Sequence, residues 1–543
     1  MTTTTGRVLI TCAPPNPNGD LHLGHLSGPF FGADVLRRHL VSRGAEVSYV
    51  SYTDDHSCYL PRRAAEIGRT PHETALHYTR RIEQSLALAG MLPDYYEHPH
   101  RETRHDQVVR REFLKLWEAG MVEEQELPTA YCEQCAVFRY EAQLRGNCRF
   151  CASPSDGTYC EECGLPQDIG GLNEAKCTTC WNPVTTRLSR RLVFPLARWA
   201  SRLSALYAHQ PWRRRVLDYC EKMVAAGLPD TPISRIDPYG IEVPLPGWEG
   251  HILDTWFSGI FGYLAATEAH AAALGDPGLA ERSWTDPDTT LVHFIGFDCS
   301  FSHAVLWPAL LMALDRPVLP RHVISNEFYA LEGGKFSTSR GWAIWASDFL
   351  REVPADAARF HLALTNPATE RTDFRRAEFD HTVRTVLGEH LDGWAGAVLD
   401  GLAAQCDSVL PEERAAAPRE RAAALAAAVA EALDPAVFLP RSAASAVAES
   451  VAWAAGELKA ALAAEGAEPR AVLGGHAELL ATVAAVAAPL LPNWSRRVAG
   501  LFELPVTGWD ELPVWPEDGV VALPGGQRIG TAYPRVFATR SAA

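Results

Sequence analysis

Four Cys-x-x-Cys pairs, Cys132/Cys135, Cys148/Cys151, Cys160/Cys163 and Cys177/Cys180, crowd into one short stretch of a 543-residue chain. Eight thiolates are enough for two tetrahedral four-cysteine zinc sites, and a metal held by four thiolates keeps no open position for chemistry. Two structural Zn2+ ions are therefore expected. From about Glu118 to Arg187 the hydrophobic periodicity gives way to cysteine, glycine and polar residues, so the stretch reads as an insertion that metal organises in place of a core. Disulfide frameworks belong to short secreted domains, whereas this chain is long and its start, Met1 to Gly6, carries no basic segment followed by an apolar signal region. A reducing, cytoplasmic setting is the expectation. The other five cysteines, Cys12, Cys58, Cys220, Cys299 and Cys406, read as packing residues.

At 47% hydrophobic content the chain can bury large cores, and its length suggests roughly three to four domains. Arg7 to Cys12 reads as a strand, Ala13 to Asp20 as a Pro/Asn/Gly loop, and helical periodicity starts near Leu21. Glu46 to Tyr52 reads as the next strand, giving a βαβ unit of a parallel sheet. Strand character returns at Thr290 to Ile295 and Arg321 to Ser325, followed by a turn at Gly333-Gly334. Beyond about Arg376, Ala-rich helical stretches broken by Pro411, Pro418 and Pro435 read as a helical bundle reaching about Val498. The apolar runs Ala422 to Val437 and Ala477 to Leu491 are interrupted by Glu, Asp or Pro, so no membrane partner is expected. A net charge of -16 gives no global attraction to phosphate backbones, although a local basic strip could still bind nucleic acid.

His22-Leu23-Gly24-His25 sits at a helix start, where free backbone N–H groups favour phosphates and two imidazoles can hydrogen-bond their oxygens. Downstream, Gly333-Gly334-Lys335-Phe336-Ser337-Thr338-Ser339 is a glycine-flexed loop with a phosphate-seeking lysine. Together these segments resemble the HIGH and KMSKS signatures of class I aminoacyl-tRNA synthetases. His293-Phe294-Ile295-Gly296-Phe297-Asp298 and Ser302-His303-Ala304-Val305-Leu306-Trp307-Pro308-Ala309 are similar to the methionyl branch. The resemblance implies an α/β fold with a Rossmann-type parallel sheet (the HUP-like class I synthetase catalytic domain), a zinc-knuckle insertion and a C-terminal α-helical bundle. It implies catalytic halves at 1–117 and 236–325 and a connective insertion at 118–235 with knuckles at 132–180. A stem-contact region with the KFSTS loop would occupy 326–375, an anticodon-binding-like bundle 376–510 and an irregular tail 511–543. It also pairs Cys148, Cys151, Cys160 and Cys163 on one zinc, and Cys132, Cys135, Cys177 and Cys180 on the other.

In that family ATP and an amino acid form an aminoacyl adenylate and pyrophosphate, with Mg2+ accompanying ATP. By resemblance His22, His25 and Lys335 are catalytic, and Asn18, Gly24, Asp298, Lys335, Ser337 and Ser339 bind ATP. Pro14, Asn16, Asp54, Trp256, Tyr263, Ser302 and His303 would line the amino-acid pocket, with Asp54 on the α-amino group. Some positions depart from the family. Thr338 replaces its second signature lysine, and Phe297 replaces a lysine before Asp298, so activation is expected to be slower or differently organised. Pro14 and Asn16 replace an apolar residue and a tyrosine, and Ser302 replaces an aromatic. Each lost apolar side chain gives up about 1.5–3 kcal/mol of grip on a thioether, so a smaller or more polar amino acid than methionine is the expectation.

In the bundle, Gly393 and Ala397 stand where the family's anticodon-reading Asn and Arg are found, and neither can stack on or hydrogen-bond a base. Trp394 and Trp453 read as core. The expected enzyme is an AMP-forming ligase, monomeric, that passes its aminoacyl group to a small-molecule amine or other acceptor not selected by anticodon. A divergent methionine–tRNA ligase of translation, with tRNA as partner, is the alternative. A catalytically silent binding or regulatory paralogue is a third reading, opposed by the intact His22, His25 and Lys335 and favoured by Thr338 and Phe297.

Overall fold

The computed structural model describes residues 6–100, 103–156, 159–167, 171–336, 341–516 and 519–537. Its principal strands are β1 (Arg7–Cys12), β2 (Glu46–Tyr52), β3 (Tyr95–Glu97), β4 (Glu123–Cys132), β5 (Thr185–Phe194), β6 (Thr290–Gly296) and β7 (Pro320–Asn326). Five of them form one parallel sheet in the order β7-β6-β1-β2-β3. Side chains alternate across a strand, so its two faces feed two cores. Val8, Ile10, Val292 and Phe294 enter one core with the C-terminal helices, while Leu9, Val50, Leu291 and Ile295 enter the other. Burial on both faces explains why these strands read as near-continuous apolar runs in the sequence.

Strand order reverses between β1 and β6, and the carboxyl ends of β1, β2 and β6 open there on one crevice. Such a switch point is where open α/β sheets bind ligands. The loop after β1 leads into a single helical turn, Leu23–His25, and the chain breaks from helical dihedrals at Gly28, before Pro29, and resumes as the helix Phe31–Ser42. The expected helix is thus present but divided. Gly28 lies against Asn326 of β7, close enough that a Cβ would crowd its amide.

The insertion is a long antiparallel pair, β4 against β5, with the cysteine pairs at its far end. The turn expected at Gly333-Gly334 joins Tyr329–Leu331 to Gly334–Lys335, with Gly333 at φ 79°. After 376 the chain is helical to Phe502, as expected of a bundle. Trp394 is buried and donates its indole N–H to His476 Nδ1 at 3.1 Å, and Trp453 packs against the same core. Among the described residues the C-terminal segment holds no regular element but lies along the sheet domain: the Arg37 guanidinium stands 3.5 Å from the Trp509 ring and Trp515 N bonds Ser42 O. Arg359, fully buried, ties Asp34 of the Phe31–Ser42 helix to the carbonyls of Gly90 and Pro489, locking bundle to sheet. Among the described residues no helix is long and apolar enough to cross a membrane.

Candidate active site

The crevice at the switch point is a cleft of about 760 Å³. From the loop after β1 it receives Pro14, Asn16 and Asn18, and from the first helical turn His22 and His25. Asp54 arrives from the end of β2, and Asp298, Ser302 and His303 from the segment after β6. Trp256 stands on the helix Thr255–Ser258. Ten of the residues singled out from the sequence therefore share one cavity, although they come from five separate stretches of chain. A second hollow of about 580 Å³ lies within the insertion and shares only Glu141 with the cleft.

Other expectations land differently. Tyr263 is fully buried and stands behind the wall, its hydroxyl 2.7 Å from His303 Nε2, while His303 Nδ1 lies 2.9 Å from Ser302 Oγ. It orients His303 and does not face the cavity. Gly24 lies beneath the wall, where a Cβ would come within 3.0 Å of both the His22 and Phe336 rings. Lys335 is at the rim, paired with Glu161 of the insertion. Phe297 turns its ring toward Tyr219 and the Arg215 guanidinium, not into the cleft. Cys299, expected to be a packing residue, lines the cleft. Ser337, Thr338 and Ser339 lie outside the described residues.

The two signature segments meet. His22 stacks on His25 at 3.8 Å and on Phe336 at 4.5 Å, and His22 N donates to His25 Nδ1 at 3.2 Å. Residues 344–346 pin the loop by backbone bonds to Leu21 and Leu23. Burial, with His25 adding to it, pushes the His22 imidazole down to about 2, so it is a neutral hydrogen-bonding group at physiological pH. Burial, reinforced by Glu141 and Asp55 and opposed by Arg235, holds the Asp54 carboxyl well above the carboxylate range. An arriving ammonium would supply the positive charge that this carboxyl lacks. Burial and Glu161 raise Asp298 to about 6, with Lys335 acting against them.

The cysteines fall into the two groups the resemblance implied, Cys132, Cys135, Cys177, Cys180 and Cys148, Cys151, Cys160, Cys163, each with its sulfurs within 4.8 Å of one another. The Sγ–Sγ separations of 3.4, 4.0, 3.8 and 3.6 Å bracket the edge of about 3.8 Å that four thiolates 2.3 Å from a tetrahedral zinc would have. Gln167 Nε2 donates to Cys148 Sγ at 2.9 Å and Phe150 N at 3.4 Å, as a thiolate acceptor requires. The donor set fits zinc in both groups.

Several cleft residues carried no sequence signal. Glu141 and Tyr159 of the insertion line it, and Arg235 lies fully buried beneath it, in contact with Glu141 and Asp254. Their partners are far away in sequence, and an isolated Glu or Arg has no motif to announce it.

A family model described as tRNA synthetases class I (M) matches residues 8–396. The methionine–tRNA ligase of Methanopyrus kandleri is 32% identical over 411 residues, which make up 75% of this chain and 61% of that one. The methionine–tRNA ligase of Thermomicrobium roseum is 34% identical over 363 residues, 66% of this chain and 62% of its own. The chain thus spans less than two thirds of the length of these curated relatives. Among solved structures, the Mycobacterium tuberculosis methionyl-tRNA synthetase in complex with methionyl-adenylate has the same fold, with a TM-score of 0.78, 19% identity and coverage of 98% of this chain and 100% of that one. With the family model spanning most of its length, the chain belongs to the class I (M) tRNA synthetases.

Proposed function

We propose that this chain uses ATP to activate an amino acid and transfers the aminoacyl group to tRNA. The observation that carries the reading is the shared cleft, lined by both the His22/His25 turn and the half-buried carboxyl of Asp54. In this reading Asp54 holds the α-ammonium and aims the carboxylate at the α-phosphorus. The new C–O–P bond forms as the bond to pyrophosphate breaks, giving the adenylate. His22 and His25 donate hydrogen bonds to phosphate oxygens as charge builds there, and Lys335 moves from Glu161 to the leaving pyrophosphate. Asn18 and Asp298 contact the nucleotide, and Gly24 permits its close approach. Catalysis is then positioning and charge stabilisation. Mg2+ would supply a hard cation that screens the phosphates, which suits a cleft whose lining carboxylates outnumber its guanidiniums. The two four-cysteine groups hold Zn2+ structurally, and free thiols in such number suit the cytoplasm.

The relatives are named methionine–tRNA ligases, which makes L-methionine the first substrate and tRNA the first acceptor to test. The comparisons lend no support to a small-molecule acceptor. One feature of this chain nevertheless favours it as a second reading. Across 376–510 eighteen acidic residues stand against ten basic ones, so the bundle repels the phosphate backbone it would have to bind. Ala397 is exposed there with nothing to read a base. Asn16 and Ser302 likewise put polar groups on the amino-acid side of the cleft and favour a smaller or more polar substrate.

The test is ATP–pyrophosphate exchange with each of the twenty amino acids, followed by charging of total tRNA with whichever one is activated. Exchange with charging supports the leading reading. Exchange without charging supports the second, and no exchange with any amino acid overturns both.

A further inference from the structure

Trp256 is a large aromatic of the cleft that the insertion grips directly. Its indole N–H donates to Glu141, and Glu141 also accepts from Arg235 at 3.2 Å. Arg235 lies 3.5 Å from Asp254, and Asp254 caps the helix by accepting from the backbone N of Trp256 at 3.0 Å. These four residues close a polar circuit in which the backbone and the ring of one tryptophan are both held. Thr255 extends it, accepting from Arg235 at 3.2 Å and donating to His56 O at 2.9 Å, two residues beyond Asp54. On the other flank the Tyr159 ring meets Trp256 edge-on at 4.4 Å and an interplanar angle of 87°. Tyr159 is itself backed by Phe301 at 5.3 Å.

Glu141 is not placed there by default. It is 5% exposed and sits at φ 40°, a left-handed conformation that costs a β-carbon residue energy and persists only where the surroundings enforce it. Its neighbours are tied down in turn: Thr178, next to Cys177, bonds the carbonyls of Ala142 and Gln143. Tyr159 immediately precedes Cys160. Each cysteine group thus delivers one side chain to the same indole.

We propose that Glu141 and Tyr159 are positioning residues for the amino-acid subsite, clamping the Trp256 ring from two sides so that the insertion sets the shape of the substrate pocket. The inference rests on the adenylate-forming reading for its kinetic consequence, but its structural consequence stands apart from that reading. A residue that fixes a pocket wall changes the KM for the substrate that touches the wall and leaves the other substrate alone.

The experiment uses the full-length, zinc-loaded chain and the variants Glu141→Ala, Glu141→Gln, Tyr159→Ala, Trp256→Phe and Glu141→Ala/Trp256→Phe. Zinc content, L-methionine-driven ATP–pyrophosphate exchange, and amide hydrogen exchange over residues 254–260 without substrate are measured on each. With two zincs retained, Glu141→Ala should raise the methionine KM about tenfold or more, move the ATP KM less than about twofold, and speed amide exchange at Trp256. Glu141→Gln, which keeps an acceptor oxygen, should do less, and most of the Glu141→Ala effect should vanish in the Trp256→Phe background. Tyr159→Ala should follow the same KM split. Unchanged methionine KM and amide exchange in Glu141→Ala overturn the proposal, as do effects that multiply in the double variant or ATP and methionine KM values that rise together. A wild-type chain that gives no exchange with methionine sinks methionine activation instead, and the amide exchange of Glu141→Ala then decides the clamp alone.

Discussion

Replacing Asp54 by Asn separates binding from stability, because the structure makes the two move in opposite directions. Asp54 is held among Glu141, Asp55 and Asp254 with Arg235 as the opposing charge, and its carboxyl is raised well above the usual range. Its folded pKa thus lies above the unfolded value of about 3.9, so the folded state binds the extra proton between the two. Stability on this account falls as pH rises through that window, by up to about 1.4 kcal/mol per pH unit, and the cost persists above it. Asn carries no charge and removes that cost, so Asp54→Asn should melt higher than the wild type at pH 8 and match it near pH 4. On the proposed reading the same change strips the α-ammonium of its partner in the cleft. Breaking a buried ion pair costs about 3–5 kcal/mol, or roughly two to three and a half factors of ten in kcat/KM for the amino acid, with the KM for ATP little changed. ATP–pyrophosphate exchange reads the first effect and calorimetric melting at the two pH values the second. A variant that melts lower than the wild type at pH 8, or that activates its amino acid normally, refutes the reasoning.

At the rim Lys335 pairs with Glu161, and on the proposed reading that carboxylate competes with phosphate for it. An exposed pair contributes at most about 1 kcal/mol, so Glu161→Gln should lower the ATP KM by up to about fivefold and blunt its salt dependence. A raised KM with zinc intact would contradict this. Gly24→Ala puts a methyl group 3.0 Å from the His22 and Phe336 rings and should raise the ATP KM about tenfold or more, with little effect on the KM for the amino acid, as initial rates at varied ATP would show. Metal analysis should find two zincs per chain, and chelation should melt the insertion ahead of the sheet and bundle; a chain that keeps the proteolytic pattern of its holo form after zinc removal would contradict the structural role. Burial holds His39 at about 3 and both His303 and His361 at about 4. The unfolded chain therefore binds more protons below about 6.5, and stability should fall on acidification toward pH 4 by up to about 1.4 kcal/mol per pH unit for each histidine. Urea midpoints at pH 7 and 5 test it, and equal midpoints would refute it.

What the sequence made legible was local or periodic. β1 and β2 begin and end where their apolar runs do, and the four Cys-x-x-Cys pairs found their partners because each thiol pair carries its own spacing. The residues that the motifs placed in the cleft mostly line it, since a motif fixes where the backbone sits. It does not fix where a side chain points. Tyr263 and Phe297 belong to matched segments, yet one backs His303 and the other faces Tyr219, and only packing from elsewhere in the chain decides that. Glu141 was illegible for a related reason: its indole partner lies 115 residues away, and one carboxylate among 66 acidic residues has no distinguishing mark. The tail was legible as irregular, because its Pro and Gly preclude regular elements, but not as a strap, because the stacking of Trp509 under Arg37 is a long-range fact.

Where the chain departs from the family pattern bears on function. Around the first helical turn His22 is stacked on His25, Gly24 leaves no room for a side chain between His22 and Phe336, and Lys335 stands at the rim. Asp54, the carboxyl that would hold an ammonium, is present and half-buried, with Arg235 and Glu141 buried behind it. Departures from the family pattern fall on the wall near Asn16 and Ser302 and on the bundle at Gly393 and Ala397, and also on the nucleotide side at Thr338 and Phe297. A carboxyl held above its ordinary range, such as Asp54, and a residue in a left-handed conformation, such as Glu141, both cost the fold energy. A site that bears such costs beside a polar wall is what the proposed reading requires, and the Asp54→Asn pair of measurements tests whether those costs serve substrate binding.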